Sequence, residues 1–145
     1  MRFIPLVFCV LLSACSSTSE APAIPAPPDV AAAPADAVRT PTNLATKLLK
    51  AGTGSRHARP NSEVTVHYTG WTSDGKMFET TIGKEPVTFR LDEVIKGWTE
   101  GLQMMVEGEQ RRFWIPGKLA YDDIPRPDAP KGPLVFDIEL IRIGS

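Results

Sequence analysis

Residues 64–78 read VTVHYTGWTSDGKMF, and this stretch decides the fold. Val64, Val66 and Tyr68 alternate with polar residues, which is the period-two pattern of a strand with one buried face. Ser73-Asp74-Gly75 then fits a hairpin turn, because glycine accepts the positive φ that other residues resist. The stretch therefore predicts a strand followed by a tight turn into a second strand.

The segment VIKGWTEGLQMM at residues 94–105 is the one part of the chain with helical spacing. Its large apolar side chains recur at i, i+3, i+7 and i+10, on one face of a helix: Ile95, Trp98, Leu102 and Met105. Gly97 and Gly101 each lower the intrinsic helix propensity by about 1 kcal/mol. We therefore predict a short helix that depends on its contacts with a sheet.

Two later segments also have the strand period. The last strand has one apolar face, formed by Leu134, Phe136, Ile138 and Leu140. Phe113 and Ile115 share a face, so Trp114 points the other way, where it either packs under a neighbouring segment or contacts a partner; we favour packing. Together the pattern predicts an α+β fold, an antiparallel sheet wrapped around one short helix.

Residues 1–14 have the features of an export signal. Met1-Arg2 is a short basic region, and residues 3–12 are apolar but far shorter than the ~20 residues that cross a membrane. Leu12-Ser13-Ala14-Cys15 resembles the bacterial lipobox, so we expect Cys15 to be acylated and to become the mature N-terminus. The alternative is an ordinary secretory signal with a chance cysteine.

By the same resemblance, Ser16 after the cysteine favours the outer membrane of a bacterial envelope, facing the periplasm. Residues 16–42 then shift in composition, with 14 of 27 residues Ala or Pro. Such a stretch buries too little apolar surface to offset its chain entropy. We predict a flexible tether over residues 15–42, reaching up to roughly 80 Å, and one domain over residues 43–145. An Ala-rich helix within the tether is opposed by its prolines.

Charge and motif counts exclude several classes of function. The chain has 16 basic and 17 acidic residues without a basic stripe, which argues against nucleic-acid binding. His57 and His67 have no companions at metal-ligand spacing, and no cofactor motif is present. Asp122-Asp123 reads as a solvated pair in a proline-rich loop rather than as a glycosidase acid and base. His67 reads as a packed strand residue.

At this point the residues resemble a family, the FKBP or macrolide-binding peptidyl-prolyl cis-trans isomerases. The matching blocks occur in order across residues 43–145: VTVHYTGW at 64–71, DGKMFETT at 74–81, VIKGWTEGLQMM at 94–105, GE at 108–109, IPGKLAY at 115–121 and LVFDIEL at 134–140. The resemblance implies a twisted antiparallel half-barrel around a short helix. It also implies isomerisation of Xaa-Pro bonds in proline-containing clients, without a cofactor or metal.

The resemblance further implies the site. Catalytic roles fall on Tyr68, Phe78, Glu79, Trp98, Tyr121 and Phe136, with Trp98 as the floor of an aromatic pocket. Substrate-binding roles fall on Val87, Val94 and Ile95. In the family, the residues that match Ile95 and Tyr121 donate hydrogen bonds to a prolyl ligand. The spacing alone fits equally well with aromatic residues that serve only as core.

Two departures from the family pattern affect these expectations. Glu79 stands where an Asp is common, and residues 80–86 lack the usual arginine, so macrolide affinity is in question. The loop at residues 122–133 is proline-rich and lacks the usual glycine, so substrate preference can differ. A rival function is a non-catalytic, chaperone-like module that holds prolyl or hydrophobic segments. The loop has no room for an inserted domain and the tether has no dimerising helix, so we expect a monomer.

Overall fold

The computed structural model describes residues 23–144, which form an antiparallel sheet wrapped around a short helix. Its strands are β1 (Val38–Arg39), β2 (Ala45–Lys50), β3 (Glu63–Thr72), β4 (Met77–Thr80), β5 (Val87–Arg90), β6 (Gln110–Ile115) and β7 (Leu134–Ile143). Its helical segments are α1 (Lys96–Leu102) and the single 3₁₀ turns Leu91–Glu93 and Gly117–Leu119. None of the helices among these residues has the length and apolar character needed to cross a membrane.

The sheet has the order β1-β2-β6-β7-β3-β4, and β5 pairs with β3 beside β4. β3 and β7 form its centre, paired from Val64 opposite Ile143 to Thr72 opposite Leu134. β3 and β4 are joined by the predicted hairpin turn, in which Gly75 has a φ of 88°. The α+β architecture and its single short α-helix were thus predicted correctly. The predicted signal peptide and Cys15 lie outside the described residues.

One irregularity in β7 keeps its apolar face continuous. Thr65 pairs with Arg142 and Val66 with Leu140, so Ile141 has no partner across the ladder. Such a bulge adds one residue to the strand, so each side chain after it points to the opposite face from the one that strict alternation would give. Ile143 is therefore 5% exposed in the inner core, whereas Ile141 is 36% exposed.

The two glycines of α1 allow the helix to lie close to β6. A Cβ atom on Gly97 would lie 2.5 Å from the side chain of Ile115, and one on Gly101 would lie 2.7 Å from Phe113. The same two glycines that lower the helix propensity of this segment therefore allow the helix to pack closely against β6. This packing forms the inner core, from which the site described below is built.

The opposite side of the sheet, here the outer face, consists of Ala45, Trp71, Trp114 and Val135. The N-terminal segment, residues 23–37, covers it, and β1 then extends the sheet by pairing with β2. This differs from the free tether predicted for residues 15–42, of which residues 15–22 lie outside the described residues. An aromatic sheet face supplies the apolar partner that an Ala/Pro-rich segment lacks by itself. Trp114 is packed, as predicted, and is 7% exposed.

Candidate active site

A pocket of about 360 Å³ opens on the inner side of the sheet, beside α1. Seven of the predicted site residues line it: Tyr68, Glu79, Val94, Ile95, Trp98, Tyr121 and Phe136. Four residues that the sequence analysis did not name also line it: Phe89, Glu93, Ile124 and Arg126. The structure therefore brings together side chains from four strands, the helix region and the loop before β7.

Trp98 forms the aromatic centre of this pocket and is 4% exposed. Three rings meet it edge-on: Tyr68 at a centroid distance of 4.8 Å and 87°, Phe136 at 5.3 Å and 86°, and Phe89 at 5.5 Å and 90°. Edge-to-face pairs are the arrangement that ring quadrupoles favour, and each contributes about 0.5–1.5 kcal/mol beyond its buried area. The floor is therefore apolar and held from several sides.

Ile95 lies at the N-cap of α1, with φ −59° and ψ 151°. Its carbonyl oxygen accepts hydrogen bonds from the N–H groups of Trp98 and Thr99, at 3.0 and 3.1 Å. The N–H of an N-cap residue precedes the helical ladder and is not consumed by it. The start of the helix thus brings a main-chain donor to the pocket lining together with the indole of Trp98.

The two phenols of the pocket are held in their neutral form. Burial raises the pKa of Tyr68, and the neighbouring carboxylate of Glu79 raises it further. Burial likewise raises the pKa of Tyr121, with the charge of Glu79 adding to the effect and that of Arg126 opposing it. Because a neutral phenol keeps its O–H proton, both side chains are hydrogen-bond donors throughout the neutral pH range.

The loop at residues 122–133 is fixed against the end of the pocket. The ammonium group of Lys131 donates to the carbonyl oxygens of Tyr121 and Ile124, both at 2.7 Å. The carboxylate of Asp122 accepts the N–H of Gly132 at 2.7 Å. The loop therefore brings Arg126 to the pocket. This basic residue lies outside residues 80–86, where the family pattern has its usual arginine.

Phe78 and Val87 do not line this pocket, contrary to their predicted positions as walls. They line an adjoining hollow of about 400 Å³, which shares Tyr68 and Glu79 with the pocket. Phe78 meets the ring of Phe136 edge-on at 5.5 Å and 87°, so it supports a pocket ring from behind. Val87 lies on the same face of β5 as Phe89, and Phe89 reaches the pocket instead.

Phe89 and Glu93 were missed for different reasons. Phe89 has a signal in the sequence, since the alternation in VTFR at residues 87–90 puts it on the face of Val87. Glu93 ends a 3₁₀ turn just before the helix, and its position depends on how that turn meets the sheet. No local sequence pattern specifies how this turn packs against the sheet.

His67 is a structural residue, as predicted, because its Nδ1 lies 2.9 Å from the hydroxyl of Thr81. Over residues 23–144, no group of three or more His, Cys, Asp or Glu side chains is arranged to share a metal ion.

The sequence that forms this pocket matches a known family of proteins. The family model of FKBP-type peptidyl-prolyl cis-trans isomerases matches residues 54–141. The chain belongs to that family. An FKBP-type fold is also found in a peptidyl-prolyl cis-trans isomerase from Pseudomonas syringae pv. tomato, with a TM-score of 0.70 and 37% identity, covering 78% of this chain and 84% of that one.

Among curated FKBP-type relatives, the chain is 44% identical to the macrophage infectivity potentiator of Trypanosoma cruzi over 119 residues, which are 77% of this chain and 59% of that protein. It is 40% identical to the outer membrane protein MIP of Legionella longbeachae over 107 residues, which are 71% of this chain and 45% of that protein. The chain thus spans about half the length of these curated relatives.

Proposed function

We propose that the domain accelerates rotation about Xaa-Pro bonds in proline-containing clients. The observation that carries this proposal is the pocket floor, where Trp98 is met edge-on by Tyr68, Phe89 and Phe136. A proline ring is a compact apolar group that such a floor can hold against the indole of Trp98. No covalent step is needed, since only rotation about one bond separates the two isomers.

The barrier to that rotation is amide resonance, about 18–20 kcal/mol. At the twisted midpoint resonance is lost and the amide is less dipolar, so an apolar environment favours the twisted form over the planar one. Water favours the planar, dipolar form. A site that excludes water therefore binds the transition state better than the ground state, which is the condition for catalysis.

Two donors complement the apolar floor in this proposal. The main-chain N–H of Ile95 and the hydroxyl of Tyr121 bind carbonyl oxygens of the client and hold the proline ring in register over Trp98. The phenol of Tyr121 carries its proton at neutral pH, as this role requires, and its raised pKa extends that form to more alkaline pH. Glu79 lines the pocket beside Tyr68 and raises the pKa of that phenol.

Exchange spectroscopy on a short Xaa-Pro peptide tests the proposal. We expect the wild-type chain to increase the cis-trans exchange rate, and Tyr121→Phe to lower the increase several-fold while leaving the fold intact. If the chain binds the peptide without accelerating exchange, the protein is instead a non-catalytic module that holds prolyl or hydrophobic segments. Titration of peptide binding in the same samples separates the two outcomes.

We further propose that the protein is a lipid-anchored monomer of the bacterial outer membrane, facing the periplasm and acting on exported clients. The lipobox-like Leu12-Ser13-Ala14-Cys15 supports the anchor, and the Legionella relative named an outer membrane protein supports the location. We expect Cys15→Ser to abolish lipid labelling and membrane fractionation. Unchanged fractionation of that variant would refute the anchor without bearing on the isomerase.

A further inference from the structure

The outer face of the sheet binds the N-terminal segment through main-chain atoms. The indole N–H of Trp71 donates to the carbonyl oxygen of Ile24 at 3.0 Å, and that of Trp114 donates to the carbonyl oxygen of Asp29 at 2.9 Å. Both indoles are nearly buried, at 2% and 7% exposure. Two tryptophans therefore bind the backbone of one segment at two points.

Apolar contacts between those two points follow the composition of the segment. Ile24, Ala26, Val30, Ala33 and Ala37 pack against the outer face and Met77. Pro27 is buried between them. The segment turns twice, since the N–H of Val30 donates to the carbonyl oxygen of Pro27 and that of Ala37 donates to the carbonyl oxygen of Pro34, both at 3.1 Å. The carbonyl oxygens of Ile24 and Asp29 accept the two indole donors instead.

A charge contact adds selectivity to the outer face. Arg112 is held by two hydrogen bonds to the carboxylate of Asp137, at 2.6 and 2.8 Å. Its other guanidinium nitrogen lies 3.5 Å from the carboxylate of Asp29, and the Arg112 side chain is only 18% exposed. Because the guanidinium is fixed before the segment arrives, an acidic residue at this position is favoured over a basic one.

The outer face is separate from the candidate active site although the two share strands. Trp71 and Val135 belong to the outer cluster, whereas their near neighbours Tyr68 and Phe136 line the pocket. Side chains at odd spacing along a strand point to opposite faces. A ligand on the outer face therefore does not compete with a client in the pocket.

We propose that the outer face is a second peptide-binding site, for a proline- and alanine-rich segment that carries an acidic residue, and that residues 24–37 occupy it as an intramolecular ligand. An open hollow of about 230 Å³ remains between Val30–Ala33 and Trp114. The segment thus covers the outer face without filling it completely.

Hydrogen exchange of the indole N–H groups tests this site in the full chain, labelled with ¹⁵N in detergent micelles. We expect slow exchange at Trp71 and Trp114 in the wild type. The double variant Ile24→Asp/Val30→Asp removes the two larger apolar contacts, and we expect at least tenfold faster exchange at both indoles. Ala23→Asp/Ala35→Asp adds the same charge at exposed positions of the segment that do not face the outer cluster, and should leave both rates unchanged.

A synthetic peptide with the sequence of residues 23–37 tests the ligand chemistry. Added to the Ile24→Asp/Val30→Asp chain, it should restore slow exchange, and a peptide with Asp29→Lys should bind several-fold more weakly. Fast exchange at the two indoles in the wild type overturns the proposal, as does a peptide that fails to bind or that binds regardless of residue 29. A wild-type chain that is dimeric at working concentration also overturns it, because the segment of a second copy would then be the occupant.

Discussion

The indole of Trp98 and the ring of Phe136 meet edge-on, with centroids 5.3 Å apart and planes inclined at 86°. One ring comes from α1 and the other from the central strand β7, so their contact joins the helix to the sheet at the bottom of the pocket. The same two residues thus stabilise the core and shape the surface that a proline ring would meet.

Phe136→Leu tests this contact without a large loss of volume. We expect kcat/KM for an Xaa-Pro peptide to fall about tenfold, which corresponds to about 1.4 kcal/mol of transition-state stabilisation. Ile138→Val is the matched control, because Ile138 is buried on the same face of β7 but does not line the pocket. Equal loss of activity in both variants would contradict the role given to the ring.

Gly70→Ala tests the space between the pocket ring of Phe136 and its supporting ring, Phe78. A Cβ on Gly70 would lie 2.7 Å from ring atoms of both Phe78 and Phe136. Overpacking of this kind costs about 1–3 kcal/mol in the free energy of unfolding, and the displaced Phe136 should lower activity as well. In urea unfolding, the double variant with Phe78→Leu should lose less stability than the sum of the two single variants; strict additivity would contradict the contact.

The ionisation of the pocket phenols can be read directly, because the chain has only two tyrosines. We expect the pKa of both Tyr68 and Tyr121 to lie above 10.0 in the folded chain. Glu79→Gln removes a charge that raises both, so both pKa values should fall. Ultraviolet titration of the phenolates in Tyr68→Phe and Tyr121→Phe assigns each value, and an unchanged titration in Glu79→Gln would contradict the proximity of that carboxylate.

The raised pKa of Tyr68 also predicts how stability depends on alkaline pH. The folded chain holds the phenol proton more tightly than the unfolded chain, so this contribution is fully present below pH 10.0 and is lost as pH rises above it. Between pH 10 and 11 we expect the free energy of unfolding to fall by up to about 1 kcal/mol from this group. Tyr68→Phe should show a shallower decline over that interval, and identical slopes would exclude the effect.

Arg126 should influence which residues flank the proline in a client. Arg126 lines the pocket together with the acidic residues Glu79 and Glu93. An exposed charge pair at about 4 Å contributes about 1 kcal/mol in water, so Arg126→Glu should lower kcat/KM for a Glu-Pro peptide several-fold and raise it for Lys-Pro. Ala-Pro serves as the neutral control. The difference should shrink in high salt, and a uniform change across the three peptides would argue against a specific role.

Much of the fold could be predicted from the sequence because its signals are local. The alternation at Val64, Val66 and Tyr68, the turn at Gly75 and the helical spacing around Trp98 each specify an element within a few residues. Most of the pocket followed from the family resemblance, since the residues that line it stand in matching blocks. Tyr68, Trp98 and Phe136 were named correctly as neighbours, and their roles in catalysis remain a prediction.

The parts that could not be predicted depend on contacts between distant segments. Arg126 reaches the pocket only because Lys131 and Asp122 fold the loop back. The seating of the N-terminal segment depends on two indole donors more than forty residues away in the chain, at Trp71 and Trp114. The composition of the segment indicates that it cannot fold by itself. The two tryptophans against which it packs come together only when their strands pair in the sheet.

The seated segment also sets how far an anchored domain could travel. From Cys15 to Ala23 the chain advances by eight residues, which span at most about 29 Å when fully stretched. A tether of that length would confine the domain to a thin layer beside the membrane that holds the anchor. Release of the segment from the outer face would lengthen this tether and let the domain reach farther from the membrane.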